Sequence, residues 1–273
     1  MNEKNGWSFC IVTAPNNEAI LKQCIKKIHD EFERSDDYEI IVVGNPKIEE
    51  KEILKKTKII SFKEEVFHLS LKNIKIALRE KNLKRIFFRT GAICHKKNLA
   101  AKNAKYNKLC IMHDYVGLEP GWKVGWEKFG EDWEIGMNII LNKDGSRHRD
   151  WMAWDHPKLT NKSNGSGACL IPYDKWTKYM YISGTYFCVK RKFFLENPLN
   201  ENLFWGEGED VEWSLRVREK TKFKMNTFSV VKYLKQKPLN DAPYCESWRK
   251  NEKLMKEILE KELKDTKKKC YNE

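Results

Sequence analysis

Near its start the chain runs through seven mostly apolar residues, WSFCIVT (7–13), and breaks at Ala14-Pro15-Asn16. Leu21, Cys24, Ile25, Ile28 and Phe32 then recur three and four positions apart. The unbroken apolar run predicts a buried strand, and the spacing after it predicts an amphipathic helix with its apolar face inward. Asn16 or Asn17 stands where an N-cap belongs. The alternation repeats. YEIIVVG (38–44) predicts a second strand ending at Asn45-Pro46, followed by a short charged helix over 48–56, a strand near 57–62 and a helix near 68–80. A helix near 96–105 leads into LCIM (109–112), a strand bounded by Asn107-Lys108 and buried on both faces. Strands and helices alternating at this length predict a mostly parallel sheet wrapped by helices, with residues 1–115 forming one nucleotide-binding layer.

After residue 118 the pattern changes. Trp122, Trp126, Trp133, Trp151, Trp154 and Trp176 crowd into glycine-bearing, polar sequence. A strand-like run, YISGTYFCVKR (181–191), precedes LNENLFWGEGEDVEWSLRVRE. A charged helix is expected from Tyr244 to about Lys264, where Glu252–Lys256, Glu257–Lys261 and Glu260–Lys264 have ion-pair spacing. With neither repeats nor low-complexity linkers, the division expected is one domain over 1–240, with halves 1–115 and 116–240, and a helical extension over 241–273.

Composition narrows the class. Of 273 residues 41% are apolar, enough for a core, so wholesale disorder is excluded. No stretch reaches the roughly 20 apolar residues of a membrane-spanning helix. The opening MNEKNGWSF lacks the layout of a secretory signal. The eight cysteines include no CxxC pair, and Cys10 and Cys110 lie in apolar runs, which suits a reducing, cytoplasmic setting. The net charge of +13 suits anionic ligands and peripheral contact with a membrane. Acids are interleaved along the whole chain without a recognisable binding module, so nucleic acid is not expected.

Two clusters carry chemistry. The LCIM strand stops abruptly on His113-Asp114-Tyr115, and in open α/β sheets ligands sit beyond the carboxyl ends of the strands. The same pattern also describes a strand ending in a solvated loop. WGEGEDVEW sets Glu207, Glu209, Asp210 and Glu212 within six residues, which suits a general base and equally a helix start favoured by the helix dipole.

Four stretches, in order and with appropriate spacing, resemble the nucleotide-sugar glycosyltransferases of family 2, which have the GT-A fold. FCIVTAPNNEAILKQCI is similar to the family's opening strand, turn and first helix. KKNLAAKNAKYNKLCIMHDYVGLEPGW resembles its Arg-Asn helix, following strand, Asp-x-Asp motif and Pro-Gly-Trp. YISGTYFCVKRKFF resembles the stretch around its Gly-Gly pair. NLFWGEGEDVEWSLRVR resembles its Glu-Asp motif, in a Trp-Gly-x-Gly-Glu-Asp form like that of the β-1,4-galactosyltransferases.

The resemblance implies a GT-A, Rossmann-like α/β fold with a mostly parallel sheet flanked by helices and a C-terminal helix. It also implies an inverting, metal-dependent hexosyltransferase that uses Mn2+ (or Mg2+) to move a sugar from a nucleotide-sugar donor, UDP-hexose above all, to a glycan hydroxyl. Thr13, Ala14 and Pro15 border the nucleotide. Asn45 stands in place of the family's base-reading aspartate, and Lys97, followed by Asn98, in place of its diphosphate-binding arginine. Aligned on Pro120-Gly121-Trp122, the Asp-x-Asp motif falls on His113 and Tyr115, leaving Asp114 as the sole carboxylate and, with His113, the expected metal pair. A late histidine ligand would have to be His148 or His156, the last two in the chain. Asp210 is the expected base with Glu209 beside it, while Gly184 and Trp205 are assigned to the acceptor. Trp151 or Trp154 could add to that acceptor platform, and most of the other tryptophans are expected in the core. Glu131-Asp132 is a second Glu-Asp pair, without the helix and Arg216 that follow Asp210. The rivals are a nucleotidyltransferase, for which TAPNNEA is the wrong phosphate loop, a basic nucleic-acid or anionic-lipid binding module, and a degenerate transferase that binds without catalysing.

Overall fold

A computed structural model of the chain describes residues 4–62, 92–157, 169–203 and 208–237, together with Ile74, Leu78, Glu257, Glu260 and Lys261. The opening run forms β1 (Lys4–Val12), and the three-and-four spacing forms α1 (Glu18–Glu31), whose Leu21, Cys24, Ile25 and Ile28 are buried. Next come β2 (Tyr38–Val43), α2 (Lys51–Leu54), β3 (Thr57–Ile60), α3 (Ala92–Asn103) and β4 (Tyr106–His113). The parallel order β3-β2-β1-β4 reverses direction at β1. The crevice at such a reversal, outside the strand ends, is where α/β sheets place ligands. Thr13, Gly44-Asn45 and His113-Asp114 all emerge there.

The second half is built from β5 (Val116–Leu118), α4 (Trp122–Phe129), β6 (Ile135–Leu141), β7 (Met152–Ala153), β8 (Cys169–Leu170), β9 (Met180–Tyr181), β10 (Tyr186–Lys190), α5 (Arg191–Glu196), α6 (Glu209–Val217) and β11 (Lys224–Tyr233). β10 lies antiparallel between β4 and β6, and β11 joins β6 to β5. The result is one mixed eight-stranded sheet, with β8-β7-β9 as a small second sheet. The tryptophans knit the halves together: Trp7 on β1 meets Trp122 at 4.7 Å, Trp126 at 5.3 Å and Trp133 at 6.1 Å between ring centroids. Trp151 is also buried, its indole N–H donated to Lys175 O. Trp154 is half-buried against Tyr181, and Trp176 is exposed.

Some expected boundaries move. Asn107 and Lys108 lie inside β4, because Asn107 accepts the Gly6 N–H and Lys108 pairs with Glu131 over the Trp7 ring. The run 181–191 is divided: Tyr181 ends β9 in the small sheet, the chain turns at Ser183-Gly184, and β10 begins at Tyr186. The charged helix near 48–56 is one turn, and that before β4 starts four residues earlier than expected. Most of the helix near 68–80, and of that from Tyr244, lies outside the described residues. Among the described residues no helix is long and apolar enough to cross a membrane, and Cys10, Cys24, Cys94, Cys110 and Cys188 are buried free thiols.

Candidate active site

Three strand ends and one helix start make the site. β4 delivers Asp114, 3% exposed, to the turn after β1, where its Oδ2 accepts from the Thr13 hydroxyl (2.7 Å) and the Asn17 amide (2.8 Å). Asn17 occupies the N-cap of α1, but its side chain makes no capping bond there because it reaches across to Asp114. Lys96 of α3 donates to Thr13 O at 2.9 Å and fixes the same turn from behind. Ala14 and Pro15 follow, both exposed.

Asn45 is at the exit of β2. Its carbonyl accepts from the Ser61 hydroxyl (2.6 Å) and the Phe62 N–H (3.2 Å), and its amide donates to Phe62 O (2.7 Å). The side chain thus ties β2 to the end of β3 and keeps one N–H uncommitted. Asn98 plays a similar part on α3, bonded both ways to Leu199 and donating to Glu201.

The Glu-Asp pair opens α6, with Gly208 before it at φ +69, a left-handed conformation glycine adopts without strain. Asp210 Oδ2 accepts the Gly184 N–H at 2.8 Å, and the Arg149 guanidinium stands 3.6 Å away. Glu209 accepts from Lys97 at 3.0 Å, and the fully buried Lys97 also donates to Gly184 O at 2.7 Å. Gly184 is therefore clamped between the Glu209-Asp210 pair and α3. A methyl group there would meet Glu209 Oε1 at 2.9 Å and Asp210 Oδ2 at 3.0 Å. Neighbouring lysines, Lys96 and Lys97, thus hold the turn after β1 and the Glu209-Asp210 pair respectively.

Charge divides the two carboxyls. Burial and the neighbouring Glu209 push the Asp210 carboxyl above the usual range, against Arg149 and the Gly184 N–H. Burial works the same way on Glu209, but the Lys97 charge and hydrogen bond outweigh it and hold Glu209 below its usual value. One carboxyl kept basic beside one kept ionised is the arrangement general base catalysis uses.

His113 is driven down to about 3 by burial and by the positive charges of Lys97, Lys237 and Lys235, with Glu209 opposing them, so it is a neutral imidazole at physiological pH. Its ring packs 5.5 Å from that of Tyr115, which lies 5.5 Å from Tyr233, which lies 5.1 Å from His148. His156 packs on Tyr179 instead, 4.7 Å between ring centroids. Among the described residues no three of His, Cys, Asp and Glu converge on a common point as metal ligands, so neither late histidine completes a set with His113 and Asp114. Trp205, with Glu207, lies outside the described residues. The rival pair Glu131-Asp132 is bound to Lys108, Lys190 and Lys224 at the opposite end of the sheet, about 17 Å from His113 along β4.

Sequence reasoning missed Lys96 and Arg149, and read Asn17 as a cap alone. Arg149 has a positive φ of 44, the kind of strain that collects at working sites. Nothing in the composition of so basic a chain singles it out.

No protein-family profile matches the chain, and no curated protein matches it in sequence. Solved structures do match in shape. A crystal structure of GalNAc-T7 with UDP, GalNAc and Mn2+ aligns with a TM-score of 0.52 at 16% identity, over 86% of this chain and 44% of that one. S. aureus TarS aligns with a TM-score of 0.55 at 11% identity, over 84% of this chain and 36% of that one. Its 1–349 fragment aligns at 0.50 and 11% identity, over 82% and 60% respectively. The chain thus spans less than two thirds of each matched chain. At these identities the likeness is one of fold, and the architecture of this chain is the GT-A fold of the glycosyltransferases.

Proposed function

We propose that the chain is an inverting glycosyltransferase that moves a hexose from a nucleotide sugar, most simply a UDP sugar, to a hydroxyl of a glycan acceptor. The observation that carries this reading is the Glu209-Asp210 pair, drawn against Gly184 by Lys97 beside the crevice where β1 and β4 deliver Thr13 and Asp114. The UDP and GalNAc in the GalNAc-T7 structure support the choice of donor. In this reading residues 1–115 bind the nucleotide through Thr13, Ala14, Pro15 and Asn45, with Asp114 facing its ribose and diphosphate. Residues 116–240 present the acceptor along Gly184 and Trp205, and residues 241–273 form a helical extension.

Asp210 accepts the proton of the attacking hydroxyl. The hydroxyl oxygen of the acceptor forms the new bond to the anomeric carbon while the bond to the diphosphate breaks on the opposite face, its electron pair leaving with the diphosphate. Direct displacement inverts that carbon. Glu209, held ionised by Lys97, raises the proton affinity of Asp210, and the Gly184 N–H orients it.

The Mn2+ implied by the resemblance, and present with GalNAc-T7, meets an incomplete donor set. Asp114 has one carboxylate oxygen committed to Thr13 and Asn17, His113 adds a neutral imidazole, and the described residues give no third ligand. These residues do not by themselves fit the ion, and no step above depends on it. The same shortage favours one alternative, a degenerate protein that binds the nucleotide sugar without transferring it.

Thermal unfolding with UDP, GDP, ADP and CDP, each with Mn2+ and with EDTA, tests the reading. A nucleotide at about a hundred times its Kd stabilises by roughly 2.7 kcal/mol, and Asp114→Ala is expected to abolish the shift. If no nucleotide shifts the transition, the transferase reading fails. Binding with no release of sugar from any donor, unchanged in Asp210→Asn, selects the degenerate alternative.

A further inference from the structure

Two lysines at the exit of β11 carry charge that no carboxylate among the described residues neutralises. The segment bearing them is pinned across the site. The Leu234 N–H donates to Tyr115 O at 2.8 Å, and the buried Asn142 donates to Lys237 O at 2.7 Å while accepting its N–H at 2.8 Å. From this strap Lys235 and Lys237 set their ammonium groups 4.2 and 4.7 Å from the centroid of the Tyr115 ring, the ring that packs on His113. Four other lysines in or against the sheet are taken up by carboxylates: Lys97 by Glu209, Lys108 and Lys190 by Glu131, Lys224 by Asp132.

Lys235 and Lys237 thus bring two positive charges to the ring that packs on His113. A divalent cation placed there is repelled by the ammonium groups, whereas a diphosphate is attracted by them. An ammonium on an aromatic face is held by a weak attraction, and a charge-assisted bond to a phosphate oxygen competes with it.

We propose that Lys235 and Lys237 form a cationic clamp for the diphosphate of the donor, so that the chain's own ammonium groups hold the departing charge where the resemblance sets a metal ion. The clamp rests on the nucleotide-sugar reading of the crevice and adds to it the residues that neutralise the leaving group. Each ammonium brings three N–H donors and a full charge. Uncommitted phosphate oxygens beside Tyr115 are within reach of both, because the strap fixes the backbone on which the lysines stand.

Isothermal titration of the full chain with UDP, with inorganic pyrophosphate and with uridine, in EDTA and in Mn2+, tests the clamp. Wild type is expected to bind UDP and pyrophosphate in EDTA. Lys235→Met/Lys237→Met is expected to weaken both by about a hundredfold, roughly tenfold per charged hydrogen-bonding group lost, and to leave uridine unchanged. Lys224→Met, at the other end of β11, is the control and is expected to bind as wild type does. UDP binding that appears only with Mn2+, or that survives the double substitution, overturns the clamp and leaves the donor-site reading standing. Failure of wild type to bind either phosphate probe in any condition overturns both.

Discussion

Replacing Lys97 with methionine removes one half of a buried ion pair and leaves the other half in place. The ammonium is wholly buried, and Glu209 keeps only 13% of its side chain exposed. Stripping the partner from such a pair costs about 3–5 kcal/mol, because a charge remains in a poorly solvated site. At roughly 2–4 °C per kcal/mol for a chain of this size, the melting point falls by about 6–20 °C. The pH dependence has a definite sign. In wild type Glu209 is held below 4.5, so its contribution is present above that value and lost as pH falls through the lower folded pKa. Without Lys97, burial, the largest influence on Glu209, prevails and the carboxyl rises above 4.5, so the variant loses stability as pH climbs. The gap between the proteins is therefore widest near neutrality and narrows toward pH 5. Urea unfolding at pH 7 and pH 5, followed by tryptophan fluorescence, reads it directly. Lys97→Met/Glu209→Leu, which removes both charges, is expected to recover most of the loss. A loss below about 1 kcal/mol for Lys97→Met, equal at both pH values, refutes the buried-pair argument.

Four further substitutions probe the same assembly. Gly184→Ala forces a methyl against Glu209 and Asp210, and is expected to destabilise by about 1–3 kcal/mol and to lower kcat while the Kd of nucleotide, by titration, stays put. Asp210→Asn removes a carboxyl whose raised pKa makes its ionised form costly above 3.8. The variant is expected to gain stability relative to wild type as pH rises, in urea titrations, while sugar transfer drops by about 10²–10⁴. A loss of stability that grows with pH contradicts that assignment. Thr13→Val and Asn17→Ala each take one donor from Asp114, and each is expected to cost about 1–2 kcal/mol in unfolding and to weaken nucleotide binding in a thermal-shift titration. Unaltered binding in both removes Asp114 from the nucleotide site.

The parallel half of the fold is legible in the sequence because its strands are buried on both faces and read as unbroken apolar runs. Phe9–Ile11, Ile40–Val43 and Leu109–Met112 are examples, each fully buried. Its boundaries are less legible. Lys108 looks like a break, yet it extends β4, because its charge finds Glu131 and its stem covers Trp7, and that partner lies 23 residues ahead. The division of 181–191 between two sheets depends on the turn at Gly184, whose N–H donates to Asp210 and whose carbonyl accepts from Lys97, contacts made 26 and 87 residues away. Local pattern carries burial; it does not carry which distant polar group will claim a backbone N–H.

The same distinction governs the site. Asp114 and the Glu209-Asp210 pair stand out because a carboxylate at the end of an apolar strand, or doubled at a helix start, is locally conspicuous. Arg149, Lys235 and Lys237 do not, since each is one cation among 52. What sets them apart is created by folding: the approach of Arg149 to Asp210, and the tether from Asn142 that carries Lys235 and Lys237 over Tyr115. His113 gains its meaning in the same way. In the sequence it replaces the first acid of a motif whose second acid is also lost, to Tyr115; in the fold its ring lies in the field of three lysines. Losing that acid and gathering those cations push the local charge in one direction, toward a site that receives an anion. A carboxylate restored by His113→Asp therefore tests the two together: it is expected to bind Mn2+ more tightly and to bind UDP in EDTA more weakly than wild type does, and an equal rise in both affinities contradicts the electrostatic argument.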